Sequence, residues 1–222
     1  SVVNRDLLRR GPTLDELSYL SLDLSPTPEA RLKVYARHVH CTAADLEAAA
    51  SGSASHQPGD VLDFVQIMEP TNRHVFDHRI PSTCYTFVSG SEVRPVAATT
   101  HLPVNAYAPD DRAIKLRTER CLRRFGIPTD SYARCVESFA NRPLDNEIGL
   151  HSYVSYRRHR EERRITAYLA VEAYTPGMVE DPSSFPTSTL IELESARPSV
   201  CDAPRRPTPA EVASRASGGD SG

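Results

Sequence analysis

Several features that mark common protein classes are missing from this 222-residue sequence. No apolar run approaches the roughly 20 residues of a membrane-spanning helix, and no basic-then-apolar segment resembles a secretion signal. The five cysteines are scattered and include no Cys-x-x-Cys pair, which argues against a disulfide framework or a zinc site and favours a reducing, cytoplasmic compartment. No Gly-rich nucleotide loop and no Gly-x-Ser-x-Gly motif is present, so nucleotide-dependent and serine-hydrolase chemistry are not indicated.

Lysine is also scarce. Lys33 and Lys115 are the only two among 26 basic residues, and the other 24 are arginine. This bias, with plentiful alanine and proline, is typical of a GC-rich bacterial genome. The net charge of −3 gives no overall attraction to nucleic acid. The length suits one domain, or one domain with tails.

Three pairs of segments alternate between apolar and polar residues, with the period of two that predicts β-hairpins. Each pair is joined by residues typical of turns, and the last turn is a charged one with glutamates among its arginines. The predicted hairpins join Leu17–Leu24 to Arg31–Val39, Ser82–Val88 to Val93–Val104, and Leu150–Arg157 to Arg164–Tyr174.

Helices are expected between the hairpins, which predicts an α+β fold with an ααββ repeat of about 60–70 residues. From about residue 175 the composition shifts to Pro, Ser, Ala and Gly, so we expect a folded part at 1–175 and a largely disordered segment at 176–222. The predicted helices begin after Thr42, lie around Val61–Met68, and cover Asp111–Phe125 and Thr129–Ala140.

One face of the predicted strands is aliphatic, whereas the other is rich in Tyr, Arg, Lys and His. Helices on the aliphatic face would leave the polar face lining a concave surface or a barrel lumen; the alternative is an ordinary solvated face. Arg31, Lys33 and Arg37 on one strand face can bind a diphosphate. Tyrosine ring faces can shield a carbocation. The combination suits ionisation of an allylic diphosphate.

Three segments resemble the dimethylallyltryptophan synthase family of aromatic prenyltransferases, and the likeness extends over about Leu17 to Tyr174. It implies the ABBA fold, an antiparallel ten-stranded barrel of repeated ααββ units with helices outside, of which about three of five would be present. It also implies transfer of a dimethylallyl or related prenyl group from its diphosphate to an indole or tryptophan-like acceptor, without metal or other cofactor. The segments are Ala30–His40, Thr99–Ala113 and Gly149–Tyr174.

The resemblance also implies roles for individual residues. Arg31, Lys33, His101 and His151 would contact the diphosphate, and Tyr35, Tyr153 and Tyr168 would shield the cation. The middle hairpin departs from the family, because it has Ala97, Thr99 and His101 where a set of cations is expected. Either the cationic clamp is depleted, or Arg94 or His101 replaces the missing charge. The family's N-terminal third, which carries the carboxylate that binds the acceptor, has no counterpart, so the sequence resembles a truncated member.

Alternation predicts that Lys33, Tyr35, His151, Tyr153 and Tyr168 share one interior, and that Leu32, Val34, Ile165 and Leu169 face helices. The expected partners are dimethylallyl diphosphate and an aromatic small molecule, with no nucleic acid and no membrane. Six strands would leave two unpaired edges, so self-association is expected. A second hypothesis is a non-catalytic small-ligand-binding or interaction domain with the same fold.

Two further pairs of residues could suggest a metal site. Asp110 and Asp111 resemble part of an aspartate-rich motif, but a helix cap is the favoured interpretation. His38 and His40 have no third ligand near them in the sequence, so no metal is expected there.

Overall fold

The computed structural model describes residues 8–71, 75–91 and 93–170, and the backbone of a strand at 189–192. Within these residues it has seven strands and four α-helices. The elements in chain order are β1 (Asp15–Leu22), β2 (Leu32–His38), α1 (Ala43–Ala50), α2 (Asp60–Met68), β3 (Ser82–Phe87), β4 (Ala97–Leu102), α3 (Asp111–Arg124), α4 (Asp130–Phe139), β5 (His151–His159), β6 (Glu162–Leu169) and β7 (Thr189–Glu192).

The strands form one antiparallel sheet in which spatial order follows chain order from β1 to β7. The three predicted hairpins are present, and the α+β class is confirmed. The described residues do not close a barrel, because β1 pairs only with β2 and β7 only with β6. The predicted disorder of 176–222 lies outside the described residues, apart from β7. None of the described helices is long and apolar enough to cross a bilayer.

The helices begin and end at the residues that their sequences indicate. Thr42 and Asp45 form a capping box at α1, in which each side chain bonds the other residue's backbone N–H. Asp110 caps α3 by accepting a hydrogen bond of 2.6 Å from the backbone N–H of Ala113, which confirms its interpretation as a helix cap. Gly126 follows α3 with a φ of +71°, a conformation that glycine adopts without strain.

The hydrophobic core lies between the aliphatic face of the sheet and the helices. Val34, Ile165 and Leu169 are buried on that face, as alternation predicted. The helices contribute Leu46 and Phe64 among other buried side chains. This packing fixes which face of the sheet stays open, because the opposite face then has no described helix against it.

The helix-side face of the β1–β2 hairpin is uncovered at one end. Leu20, Leu22 and Leu32, which we call the leucine stripe, are 74%, 61% and 40% exposed. Leu32 was expected to pack against a helix, but no helix precedes β1 in the described part of the chain. The exposed stripe therefore continues the core face beyond the region that the helices cover.

A β-bulge near the start of β5 changes the direction of one predicted site residue. His151 lies opposite Leu169, whereas Tyr153 lies opposite Tyr168, so Ser152 is an extra residue in the ladder. His151 consequently shares the helix side of the sheet with Leu169. The prediction that His151 shares an interior with Lys33 is therefore wrong, because strict alternation fails at the bulge.

Candidate functional site

A cavity of about 960 Å³ lies on the face of the sheet that turns away from the helices. Its wall is formed by side chains from several strands and from the loop before β3. Many of these side chains are aromatic, and two are arginines. The lining includes Glu16, Tyr19, Tyr35, Arg37, His78, Arg79, Ser82, His101, Tyr153 and Tyr168.

Five rings in this cavity form a continuous row across the sheet, which we call the aromatic row. Its ring centroids are 6.1 Å apart for Tyr19–Tyr35 and 6.2 Å apart for Tyr35–His101. The row continues at 5.8 Å from His101 to Tyr168 and at 6.2 Å from Tyr168 to Tyr153. The predicted common face for Tyr35, Tyr153 and Tyr168 is confirmed. Electron-rich ring faces in such a row stabilise a positive charge and exclude water from it.

His101 enters the row as a neutral group. Burial, together with the nearby charge of Lys33, lowers the pKa of His101 from 6.5 to about 4. The imidazole is therefore uncharged at neutral pH. Its Nδ1 lies 3.4 Å from the Tyr168 hydroxyl. His101 thus adds a polar ring to the cavity and does not replace a missing cation.

Lys33 and Arg157 add further positive charge to the same face of the sheet. Lys33 lies opposite Thr86 in the ladder, and Arg157 lies opposite Thr99, whose other neighbour is Cys84. Both cations act on the Cys84 thiol, whose pKa is raised by burial and lowered in part by them. Arg157 on β5 therefore places a positive charge beside Thr99, a position at which β4 itself has no charged residue.

A second cavity of about 510 Å³ includes Thr86, the residue opposite Lys33, and its lining has three arginines and one glutamate. Arg157 and Arg31 both line it, and the Arg31 Nε donates to Asp23 at 2.7 Å. Burial and the charges of Arg157 and Arg160 lower the pKa of His159 in the same cavity. The face thus has an aromatic end and a cationic end.

No family model matches the sequence, but solved structures do. The 6-dimethylallyltryptophan synthase from Micromonospora olivasterospora, in complex with DMASPP and Trp, is 31% identical with a TM-score of 0.67, over 72% of this chain and 45% of that one. The 5-dimethylallyltryptophan synthase from Streptomyces coelicolor is 29% identical, with a TM-score of 0.66 over 72% and 46%. In sequence and in fold the chain is similar to dimethylallyltryptophan synthases. It spans about half the length of these relatives.

A third relative, the prenyltransferase PriB, gives the same result. It is 27% identical with a TM-score of 0.66, over 71% of this chain and 45% of that one. The resemblance read from three sequence segments is therefore confirmed by structure.

Among the diphosphate contacts that the family resemblance implied, Lys33, Arg31 and His101 lie on the open face, and His151 does not. The His151 ring is fully buried and bonds Asp111 through Nδ1 at 2.9 Å and the Tyr132 hydroxyl through Nε2 at 2.8 Å. Burial opposes ionisation of Asp111, but hydrogen bonds from His151 and Leu150 outweigh it and lower the pKa of Asp111 to about 2. His151 therefore joins the sheet to α3 and α4.

Arg94 does not replace the missing cation either. Its guanidinium donates to the backbone carbonyl oxygens of Ser51, Gly52 and Ser53, just after α1. Arg94 therefore satisfies acceptors left at the end of a helix. The alternative in which Arg94 supplies the clamp is wrong.

Arg79 is a member of the site that sequence reasoning missed. It lies in the irregular segment before β3, and its guanidinium carbon is 5.2 Å from the centroid of the Tyr153 ring. Its Nη2 donates to the Tyr153 hydroxyl at 3.4 Å, and its Nη1 donates to Asn105 at 2.8 Å. Because the segment has no periodic pattern, nothing in the sequence indicated that Arg79 holds one end of the aromatic row.

His38, considered above as a metal ligand, uses both ring nitrogens within the protein. Nδ1 lies 2.8 Å from Asp15 and Nε2 lies 2.9 Å from Thr83, and all three residues are buried. In the part of the chain that the structure describes, no group of three or more His, Cys, Asp or Glu residues could hold a metal ion.

Proposed function

We propose that this chain catalyses transfer of a dimethylallyl, or a related prenyl, group from its diphosphate to an indole or tryptophan-like acceptor. The observation that carries the proposal is the aromatic row beside the cations Lys33 and Arg157 on one open face. Relatives bound to DMASPP and Trp support the same two substrate classes.

In the proposed reaction, the bond between C1 of the prenyl group and the diphosphate oxygen breaks first. The negative charge that develops on the diphosphate is stabilised by Lys33, Arg157 and Arg31. The allylic cation lies against the ring faces of Tyr35, Tyr153 and Tyr168, which shield it from water. An electron-rich carbon or heteroatom of the acceptor then attacks C1.

The test is turnover of dimethylallyl diphosphate with L-tryptophan by the full chain, with prenylated product detected by mass spectrometry. Because protein cations neutralise the diphosphate, we expect the same rate with and without EDTA. Calorimetric titration with dimethylallyl thiolodiphosphate measures binding separately. Binding without turnover would favour the non-catalytic ligand-binding alternative, and absence of both would contradict the proposal.

Replacing Tyr35 by leucine should slow prenyl transfer by about 2- to 30-fold, because a cation–π interaction contributes about 0.5–2 kcal/mol. Tyr35→Phe is the matched control, since it keeps the ring face and removes only the hydroxyl. Initial rates at saturating diphosphate compare the two variants with wild type. Equal losses in both would assign the effect to the hydroxyl and contradict cation shielding.

We propose that the leucine stripe binds a second copy of this chain. The stripe is exposed and lies partly on β1, whose outer edge carries unpaired backbone groups in the described sheet. Leu20→Lys and Leu22→Lys should therefore shift the protein from dimer to monomer in sedimentation velocity. Leu116→Lys is the control, since Leu116 is 53% exposed on α3, away from the stripe. A wild-type chain that is already monomeric would contradict this interface.

A further inference from the structure

His101 occupies the middle of the aromatic row and is the one ring in it that has a basic nitrogen. It lines the 960 Å³ cavity, with the Tyr35 ring on one side and the Tyr168 ring on the other. Its Nδ1 is 3.4 Å from the Tyr168 hydroxyl. If Nδ1 carries the ring proton and donates it there, the lone pair of Nε2 is left for another partner.

The other groups that line this cavity are less suitably placed or less able to take a proton from a bound acceptor. The arginines stay protonated in proteins, and burial raises the pKa of Tyr35, so tyrosine oxygens are not available as bases. Glu16 is half exposed and lies 3.6 Å from Arg37. The His78 side chain is 66% exposed at the rim. Among the lining residues, His101 alone is a neutral base within the aromatic wall.

We propose that His101 is the general base that removes the proton from the acceptor after prenyl transfer. The inference rests on the proposed function and adds a catalytic residue to it. Attack by an aromatic carbon of the acceptor forms its bond to C1 and leaves that carbon with both a prenyl group and a hydrogen. The His101 Nε2 lone pair takes this proton, and the C–H electron pair restores the aromatic ring. The imidazolium then releases the proton to water, and the diphosphate departs as the other product.

The surroundings of His101 suit this step. Its low pKa keeps the imidazole unprotonated beside Lys33, and a neutral ring does not repel the allylic cation. Weak basicity is no obstacle, because a protonated aromatic ring is a far stronger acid than an imidazolium. The base is therefore in its reactive form at every pH above about 5, given a pKa of about 4.

The test uses the full chain with dimethylallyl diphosphate and either L-tryptophan or L-tryptophan deuterated on the indole ring. Wild type should react at the same rate with both, because loss of the proton is fast. His101→Asn can still bond Tyr168 but cannot accept the proton, so kcat should fall by about 10²-fold and the deuterated substrate should react more slowly. His40→Asn, which changes an exposed histidine outside the cavity at a positive φ that asparagine tolerates, should behave as wild type.

Two outcomes would overturn the assignment. One is a His101→Asn variant whose rate falls without any isotope effect, which would indicate a structural or binding role for His101. Titration of that variant with dimethylallyl thiolodiphosphate would show whether binding is lost. The other outcome concerns the tautomer of His101 and can be measured without an activity assay. Nitrogen-15 NMR at neutral pH should find Nδ1 of His101 protonated and Nε2 unprotonated, and the opposite tautomer would contradict the proposal. A wild type that gives no product contradicts the proposed function itself, and the role of His101 with it.

Discussion

Replacing Lys33 by alanine is expected to lower the turnover of dimethylallyl diphosphate by roughly 30- to 1000-fold. A charge-assisted contact to the leaving diphosphate contributes about 2–4 kcal/mol to the transition state in a partly dry site, and about 1.4 kcal/mol corresponds to a factor of ten. Lys33 is half-buried on the open face, close enough to His101 to lower its pKa. The measurement is kcat at saturating dimethylallyl diphosphate and L-tryptophan.

The sequence offers a matched control for this substitution, because only one other lysine exists. Lys115 lies on α3, where it pairs with Glu119, and it lines neither cavity of the open face. Lys115→Ala should leave kcat unchanged. Lys33→Arg should recover part of the rate, since a planar guanidinium cannot place its charge where a compact ammonium was. Wild-type turnover by Lys33→Ala would mean that Lys33 is an ordinary solvated strand residue.

Replacing Asp111 by asparagine is expected to lower the free energy of unfolding by about 3 kcal/mol, because it breaks a buried charged network. The Asp111 carboxylate is fully buried and accepts hydrogen bonds from the backbone N–H groups of Leu150 and His151, at 3.0 Å and 2.9 Å. It also accepts from the His151 ring and from Arg142, at 2.9 Å and 2.6 Å. Urea unfolding at neutral pH measures the loss.

Asp110 provides the control for Asp111. Asp110→Asn should change stability by less than about 0.5 kcal/mol, because asparagine and aspartate cap helices equally well. A similar loss in both variants would attribute the effect to the start of α3 in general, not to the buried network.

The same network predicts how the effect of Asp111→Asn depends on pH. The pKa of Asp111 is about 2 in the folded protein against an ordinary value of 3.8. Its ionised form therefore stabilises the fold fully above pH 3.8, and this contribution is lost as the pH falls through 2. The difference between wild type and Asp111→Asn should accordingly shrink between pH 4 and 2.

Most of the secondary structure could be predicted from the sequence, because the signals are local. Alternation located the hairpins, and Thr42, Asp110 and Gly126 marked helix ends where the structure has them. Strand alternation also placed Tyr35, Tyr153 and Tyr168 on one face. Period-two patterns succeed here because one face of the sheet is packed against helices, which fixes the register.

The errors arose where local periodicity stops. His151 turned to the helix side because a bulge adds one residue to β5, and alternation carries no sign of a bulge. The predicted strand ended at Arg157, where the charged turn was expected to begin, but β5 continues to His159 and Arg157 stays on the same face as Tyr153. A strand end in a run of charged residues has no sequence signal that separates it from the turn.

The aromatic row has a practical consequence for spectroscopy. The chain has nine tyrosines and no tryptophan, so its own ultraviolet emission comes from tyrosine alone. Indole absorbs at longer wavelengths than phenol, and an indole in the cavity would lie beside Tyr35, Tyr153 and Tyr168. Excited tyrosines would pass their energy to it, and light that tyrosine does not absorb would excite only the bound indole. Occupancy of this cavity by an indole can therefore be followed in the unlabelled protein, with the tyrosines as donors and the ligand as the emitter.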